Sequence, residues 1–193
     1  VAYRQFPEQR IPHLAARRLA QGRTIGWFRG AMEYGPRALG ARSILAPATD
    51  PSTPNALNRR LRRSGFMPFA PVTTQALAPL CFNNWKPEHV AAHFMTVCYY
   101  ATQDFLRTCP AAVHADGSAR PQVILRQHNP AYHDTVALYH ERTGAPALIN
   151  TSFNRHEEPI VNTPDQAVTA YTEGWVDDLV IGNCYVSRDT PSQ

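Results

Sequence analysis

The stretch "NPAYHDTVALYHERTGAPALIN", Asn129 to Asn150, carries the reading that decides the fold. Asn129 offers a side-chain cap, and Pro130 a ring whose missing N–H costs nothing in the first turn, so a helix starts there. It runs to about Thr143, where Gly144 can close it in a left-handed turn, and "PALIN" follows as a strand. The same grammar recurs on both sides. Downstream, Thr163-Pro164 opens a helix to about Glu173, Gly174 stops it, and "DLVIG" is the next strand. Upstream, Thr53-Pro54 opens another helix. From Glu8 to Gln21, Ile11, Leu14, Ala15 and Leu19 recur at helical spacing with Arg17 and Arg18 off that stripe; Gly22 ends the helix, and Thr24 to Phe28 is a buried strand. Further strands are expected at Thr96 to Thr102 and Gln122 to Arg126. Helices alternating with short apolar strands predict an α/β (α+β) domain on one mixed sheet.

A chain of 193 residues with 44% apolar composition can bury a core of its own, and its length suits one domain. No run approaches the roughly 18 apolar residues of a membrane helix, and "VAYRQFPEQR" lacks a signal pattern, so no membrane association and a cytoplasmic location are expected. The chain begins with Val1 rather than Met, as a processed product or a piece of a longer polypeptide would. Cys81, Cys98, Cys109 and Cys184 are far apart, with no C-x-x-C and no histidine at zinc-ligand spacing, and read as free thiols rather than a metal site. The net charge is +4; of 19 basic residues only Lys86 is lysine and 18 are arginine. Codon bias accounts for most of that excess, but arginine's planar fork also makes it the better bidentate ligand for phosphate.

Four stretches could carry chemistry. "MEYGPRALGARSIL", Met32 to Leu45, sets Arg37 and Arg42 in a glycine-rich loop after the first strand; Gly30, Gly35 and Gly40 would let backbone N–H groups approach an anion, although the loop is no P-loop. A surface turn and an anion site are both open there. The helix from Pro54 bears Arg59, Arg60, Arg62 and Arg63, with Arg59 and Arg63 on one face; it is either a solvated basic face or a wall of a phosphate site, beside the apolar "FMPFAP". "HADGSARPQ" is a polar turn with one arginine, Arg120. In "INTSFNRHEEPIV" a strand ends in Asn150, Thr151, Ser152 and Asn154, where open α/β sheets bind ligands. No nucleophile elbow surrounds Ser152, and His156 with Glu157 and Glu158 reads as exposed loop.

In this order, and with the closing "DDLVIGNCYV", these stretches resemble the C-terminal domain of the O-carbamoyltransferase family, whose members carbamoylate antibiotics and Nod-factor glycolipids. The resemblance spans about Tyr3 to Val186. It implies one YrdC-like domain over residues 1–193, an α/β fold whose twisted mixed β-sheet with flanking helices lines a nucleotide cleft. It also implies formation of carbamoyl adenylate from carbamoyl phosphate and ATP with Mg2+, and transfer of the carbamoyl group to a hydroxyl by a preceding metalloprotein-like domain that nothing in this chain resembles. By that comparison Arg37, Arg42 and Ser43 meet phosphate, and the basic helix adds a further contact through Arg63, with Arg60 or Arg62 as substitutes. Arg120 meets carbamoyl phosphate, and Asn150, Ser152 and Asn154 bind substrate or adenylate from the strand end.

Four positions depart from the family's pattern. Ala31 stands where many relatives have arginine, and Gly65 where many have an acidic residue. An arginine or Leu61 replaces a lysine in the basic helix, and Glu157-Glu158 replaces Gly-Glu. Two other readings compete. An RNA-binding module would use the same basic surface, but it would interleave aromatic residues with the arginines, and no such stripe exists. A catalytically silent partner domain would explain Ala31 and Gly65.

Overall fold

The computed structural model describes residues 1–63 and 68–188; Gly65 and the start of "FMPFAP" lie outside the described residues. In chain order the elements are β1 (Arg4–Gln5), α1 (Arg10–Ala20), β2 (Ile25–Phe28), β3 (Arg42–Pro47), α2 (Thr53–Arg60), β4 (Ala70–Thr74), α3 (Ala78–Cys81), β5 (Tyr99–Tyr100), α4 (Gln103–Thr108), β6 (Ser118–Ala119), β7 (Gln122–Ile124), α5 (Pro130–Thr143), β8 (Leu148–Ser152), α6 (Pro164–Thr172), β9 (Asp178–Ile181) and β10 (Cys184–Ser187). Eight strands form one sheet in the order β1-β10-β9-β2-β3-β8-β4-β7, and β5 pairs with β6 apart from it. The sheet is mixed, as expected: β2 runs parallel to β9 and β4 to β7, and the other pairs are antiparallel.

Both faces of β2 are covered, and its alternation shows by what. Trp27 meets Tyr132 of α5 with ring centroids 5.9 Å apart. Its neighbour Gly26 points the other way, where a Cβ would stand 2.6 Å from the Phe153 ring. Phe153 in turn meets Trp175, just beyond α6. Thus α5, with α1 packed on it, covers one face, and Phe153 with Trp175 covers the other. Every residue of β2 is buried, which explains its uninterrupted apolar run.

The proline-opened helices form for the expected reasons in two cases of three. The Asn129 side chain accepts from the Tyr132 N–H, and Gly144 closes α5 at φ 75°. Thr163 and Gln166 cap α6 reciprocally. At α2 the expected cap Thr53 is already helical; Ser52 precedes it in helical geometry with no side-chain cap, and its N–H donates to Asp50 at 2.8 Å. The basic helix is also shorter than its pattern suggests. It ends at Arg60, Arg62 turns into the left-handed region at φ 53°, and the Arg63 N–H returns to the Asn58 carbonyl at 2.8 Å. Arg59 and Arg63 therefore do not share a helical face. The strand expected over Thr96 to Thr102 contracts to β5, because Met95 holds a left-handed φ of 55° and the chain turns there.

Candidate functional site

The C-terminal end of β8 and the N-terminal ends of β3, β4 and β7 meet at one rim of the sheet. Ser152 lies opposite Ser43, Asn150 lies opposite Leu45 and Ala70, and Gln122 lies opposite Val72. The loop joining β2 to β3 stands on that rim, and between it and the β8 end lies an open cleft. Its wall includes Arg37, Arg63, Arg120, Asn150, Ser152 and Asn154, with Phe69 and Met95 among its apolar residues.

The loop folds around Glu33. Its Oε1 accepts the N–H groups of Leu39, Ala41 (3.2 Å) and Arg42 (3.4 Å), while the Gly40 N–H goes to Ser43 Oγ at 3.1 Å. The carbonyls are held from outside by side-chain amides: Ala38 by Asn150 at 2.9 Å, Leu39 by Gln122 at 2.8 Å and Gly40 by Asn129 at 3.0 Å. Gly40 is required here twice over. Its φ of 104° excludes ordinary residues, and a Cβ would sit 2.6 Å from the Tyr132 ring. The N–H groups of residues 39 to 42 are thus already satisfied within the loop, so Gly40 has no backbone donor left for an anion.

The expected ligands separate into two groups. Arg37, Arg63, Arg120, Asn150, Ser152 and Asn154 are together at the cleft. Arg42, Ser43 and Arg60 are not on its wall. Arg42 is buried at 6% exposure beneath the loop, its guanidinium 3.6 Å from the Phe28 ring centre, and its Nη1 donates to the carbonyls of Gly30 (3.1 Å) and Ala41 (3.0 Å). Ser43 is consumed by the Gly40 N–H. Arg60 turns to the far end of β2, where it pairs with Asp177 and donates to Thr24 Oγ1 at 2.8 Å.

The cleft is short of negative charge. Among the described residues Arg63 donates only to neutral groups: Thr151 Oγ1 at 2.6 Å, Ser152 Oγ at 3.2 Å, Asn154 Oδ1 at 3.0 Å, and the carbonyls of Ser152 and Asn154. Burial pulls its guanidinium down to about 10. Burial also lowers Arg120, and the like charge of Arg37 lowers it further. Among the described residues neither Arg37 nor Arg120 has a carboxylate within ion-pair distance. A buried guanidinium beside a like charge, as Arg120 is, gains from an anion placed next to it.

Several contributors were not apparent from the sequence. Glu33 and Gln122 shape the loop through hydrogen bonds to its backbone, which no residue spacing announces. Asn129 was expected as a helix cap, and it is one, but its other end holds the loop. His156 and Glu157 are exposed, as expected, yet they also line the cleft. Glu157 adopts φ 62°, a left-handed geometry that suits glycine, the residue the resemblance sets at this position. No group of three or more potential metal ligands occurs among the described residues.

The family model described as carbamoyltransferase C-terminus matches residues 16–188. Nodulation protein NolNO of Sinorhizobium fredii is 38% identical over 183 residues, covering 92% of this chain and 26% of that protein. The chain spans about a quarter to a third of the length of the curated relatives it matches. Among solved structures, full-length HypF in its phosphate- and nucleotide-bound form superposes with a TM-score of 0.62 at 18% identity, covering 91% of this chain and 25% of that one. Sua5 of P. abyssi complexed with L-threonine gives 0.62 at 12%, covering 96% and 49%. At those identities the likeness is one of fold, the YrdC-like fold.

Proposed function

Because this chain belongs to the carbamoyltransferase C-terminal family, we propose that it is the activating portion of an O-carbamoyltransferase, forming carbamoyl adenylate from carbamoyl phosphate and ATP. The observation that carries this reading is the convergence of Arg37, Arg63 and Arg120, without carboxylate partners among the described residues, on the strand end Asn150 to Asn154. In the proposed reaction water takes the phosphate from carbamoyl phosphate; a carbamate oxygen then bonds to the α-phosphorus of ATP, and pyrophosphate leaves. Several anionic groups must be brought together, so charge neutralisation and placement matter more than a protein nucleophile.

Arg120 and Arg37 grip the phosphate of carbamoyl phosphate. Arg63, fixed by Thr151, Ser152 and Asn154, supports the oxygens that become the anhydride. Arg42 and Ser43, assigned phosphate contacts by the resemblance, act from beneath by holding the loop that presents Arg37. Glu157 is the one carboxylate on the cleft wall among the described residues. That suits Mg2+, which binds through one or two carboxylates together with substrate phosphates. The relatives are longer than this chain, so the acceptor hydroxyl and its transfer site are assigned to an N-terminal domain or subunit. The natural product that receives the carbamoyl group belongs to that partner.

The test is release of pyrophosphate from ATP by this chain, followed by a coupled assay. Release should require carbamoyl phosphate. Release at the same rate without it, or none with both substrates and Mg2+ present, contradicts the proposal.

A further inference from the structure

Asn150 carries a polar atom that no described residue satisfies. Its Nδ2 donates to the Ala38 carbonyl at 2.9 Å and to Gln122 Oε1 at 2.7 Å, so both amide hydrogens are used. A flip of the side chain would lose both bonds. Gln122 is oriented in the same manner, because its Nε2 donates to the Leu39 carbonyl at 2.8 Å. The assignment therefore runs from a loop carbonyl through Gln122 to Asn150 and ends on Asn150 Oδ1. That oxygen is buried and has no donor among the described residues. Asn150 is 1% exposed and Gln122 3%, so water does not substitute freely for a missing donor, and Asn150 forms part of the cleft wall.

We infer that Gln122 is a positioning residue: it turns Asn150 so that Oδ1 meets an N–H of the substrate's acyl group, and the cleft thereby selects carbamoyl phosphate over an acyl phosphate ending in methyl. The inference rests on the proposed function. Carbamoyl and acetyl phosphate have the same phosphate and nearly the same shape, so the arginines do not distinguish them. They differ in one group: –NH2 donates to Oδ1, while –CH3 covers it and leaves it unpaired. A site built around a hydrogen bond rejects the analogue that lacks it far more strongly than an apolar pocket rejects a change of size.

The experiment compares the affinities of carbamoyl phosphate, acetyl phosphate and inorganic phosphate by chilled titration calorimetry, with folding checked by circular dichroism. The unaltered protein should prefer carbamoyl to acetyl phosphate on the order of tenfold or more, the factor expected from one unpaired buried acceptor. Gln122→Met should bring that ratio close to one while phosphate still binds. Equal affinity of the unaltered protein for the two acyl phosphates overturns the inference and leaves the anion site standing. A preference that survives Gln122→Met also overturns it. Failure of the unaltered protein to bind any of the three ligands overturns the anion site and the inference together. If Gln122→Met does not fold, the ratio for the unaltered protein still decides.

Discussion

Arg120 is held beside Arg37, and burial with that like charge lowers its proton affinity. Such a side chain has more to gain from a bound anion than one already paired. Arg120→Ala should therefore weaken carbamoyl phosphate binding by about 2 kcal/mol or more, the loss expected for a charge-assisted hydrogen bond at a partly buried site. ATP affinity should change far less. Calorimetry with both ligands checks this, and equal weakening of both would show that Arg120 holds the cleft wall rather than the substrate. Arg60 shows the opposite case. In the sequence it stands as a substitute for Arg63, three residues away in the same basic run, yet its guanidinium serves Asp177 and Thr24.

At the scale of elements, the Arg60–Asp177 pair ties the end of α2 to the approach to β9. Burial opposes ionisation of Asp177, but hydrogen bonds from Arg60 and Thr24 outweigh it and hold the carboxyl down to about 2, against an ordinary 3.8. A depressed carboxylate contributes stability that is fully present above its unfolded value and is lost as pH falls through the folded one. The contribution should be about 1–2 kcal/mol after allowance for partial exposure, and it should disappear between about pH 4 and pH 2. Denaturant unfolding of the parent and of Asp177→Asn across that range checks it; the two curves should converge at the acid end.

Elements were legible wherever a local rule determined them. Gly144 and the caps at Asn129 and Thr163 mark their helix ends in the sequence as they do in the structure. Where tertiary contacts decided, the pattern misled. The four-arginine run looked like a continuous helix because its end is set by a turn at Arg62, an ordinary residue with no glycine to mark it. The cleft's arginines and strand-end amides were visible as residue types. The division of labour among them was not, because it depends on which guanidinium each fold contact captures first.

At the scale of the molecule, one rim of one sheet gathers the candidate activating groups, while the chain covers about a quarter to a third of its relatives' length. The chain alone should therefore release pyrophosphate without carbamoylating an alcohol, since an adenylate with no acceptor beside it is lost to water. Adding the N-terminal domain of a relative should convert part of that loss into carbamoylated product, detected by mass spectrometry; product made by this chain alone would refute the division of labour. The loop around Glu33 bears on how such a site operates. Its own carboxylate gathers the N–H groups at its centre, so its conformational entropy is surrendered during folding rather than at binding. The ligand then meets a rim already in shape. Association should proceed without a slow ordering phase, and heat-capacity changes on binding should reflect the ligand's own dehydration rather than the folding of a loop.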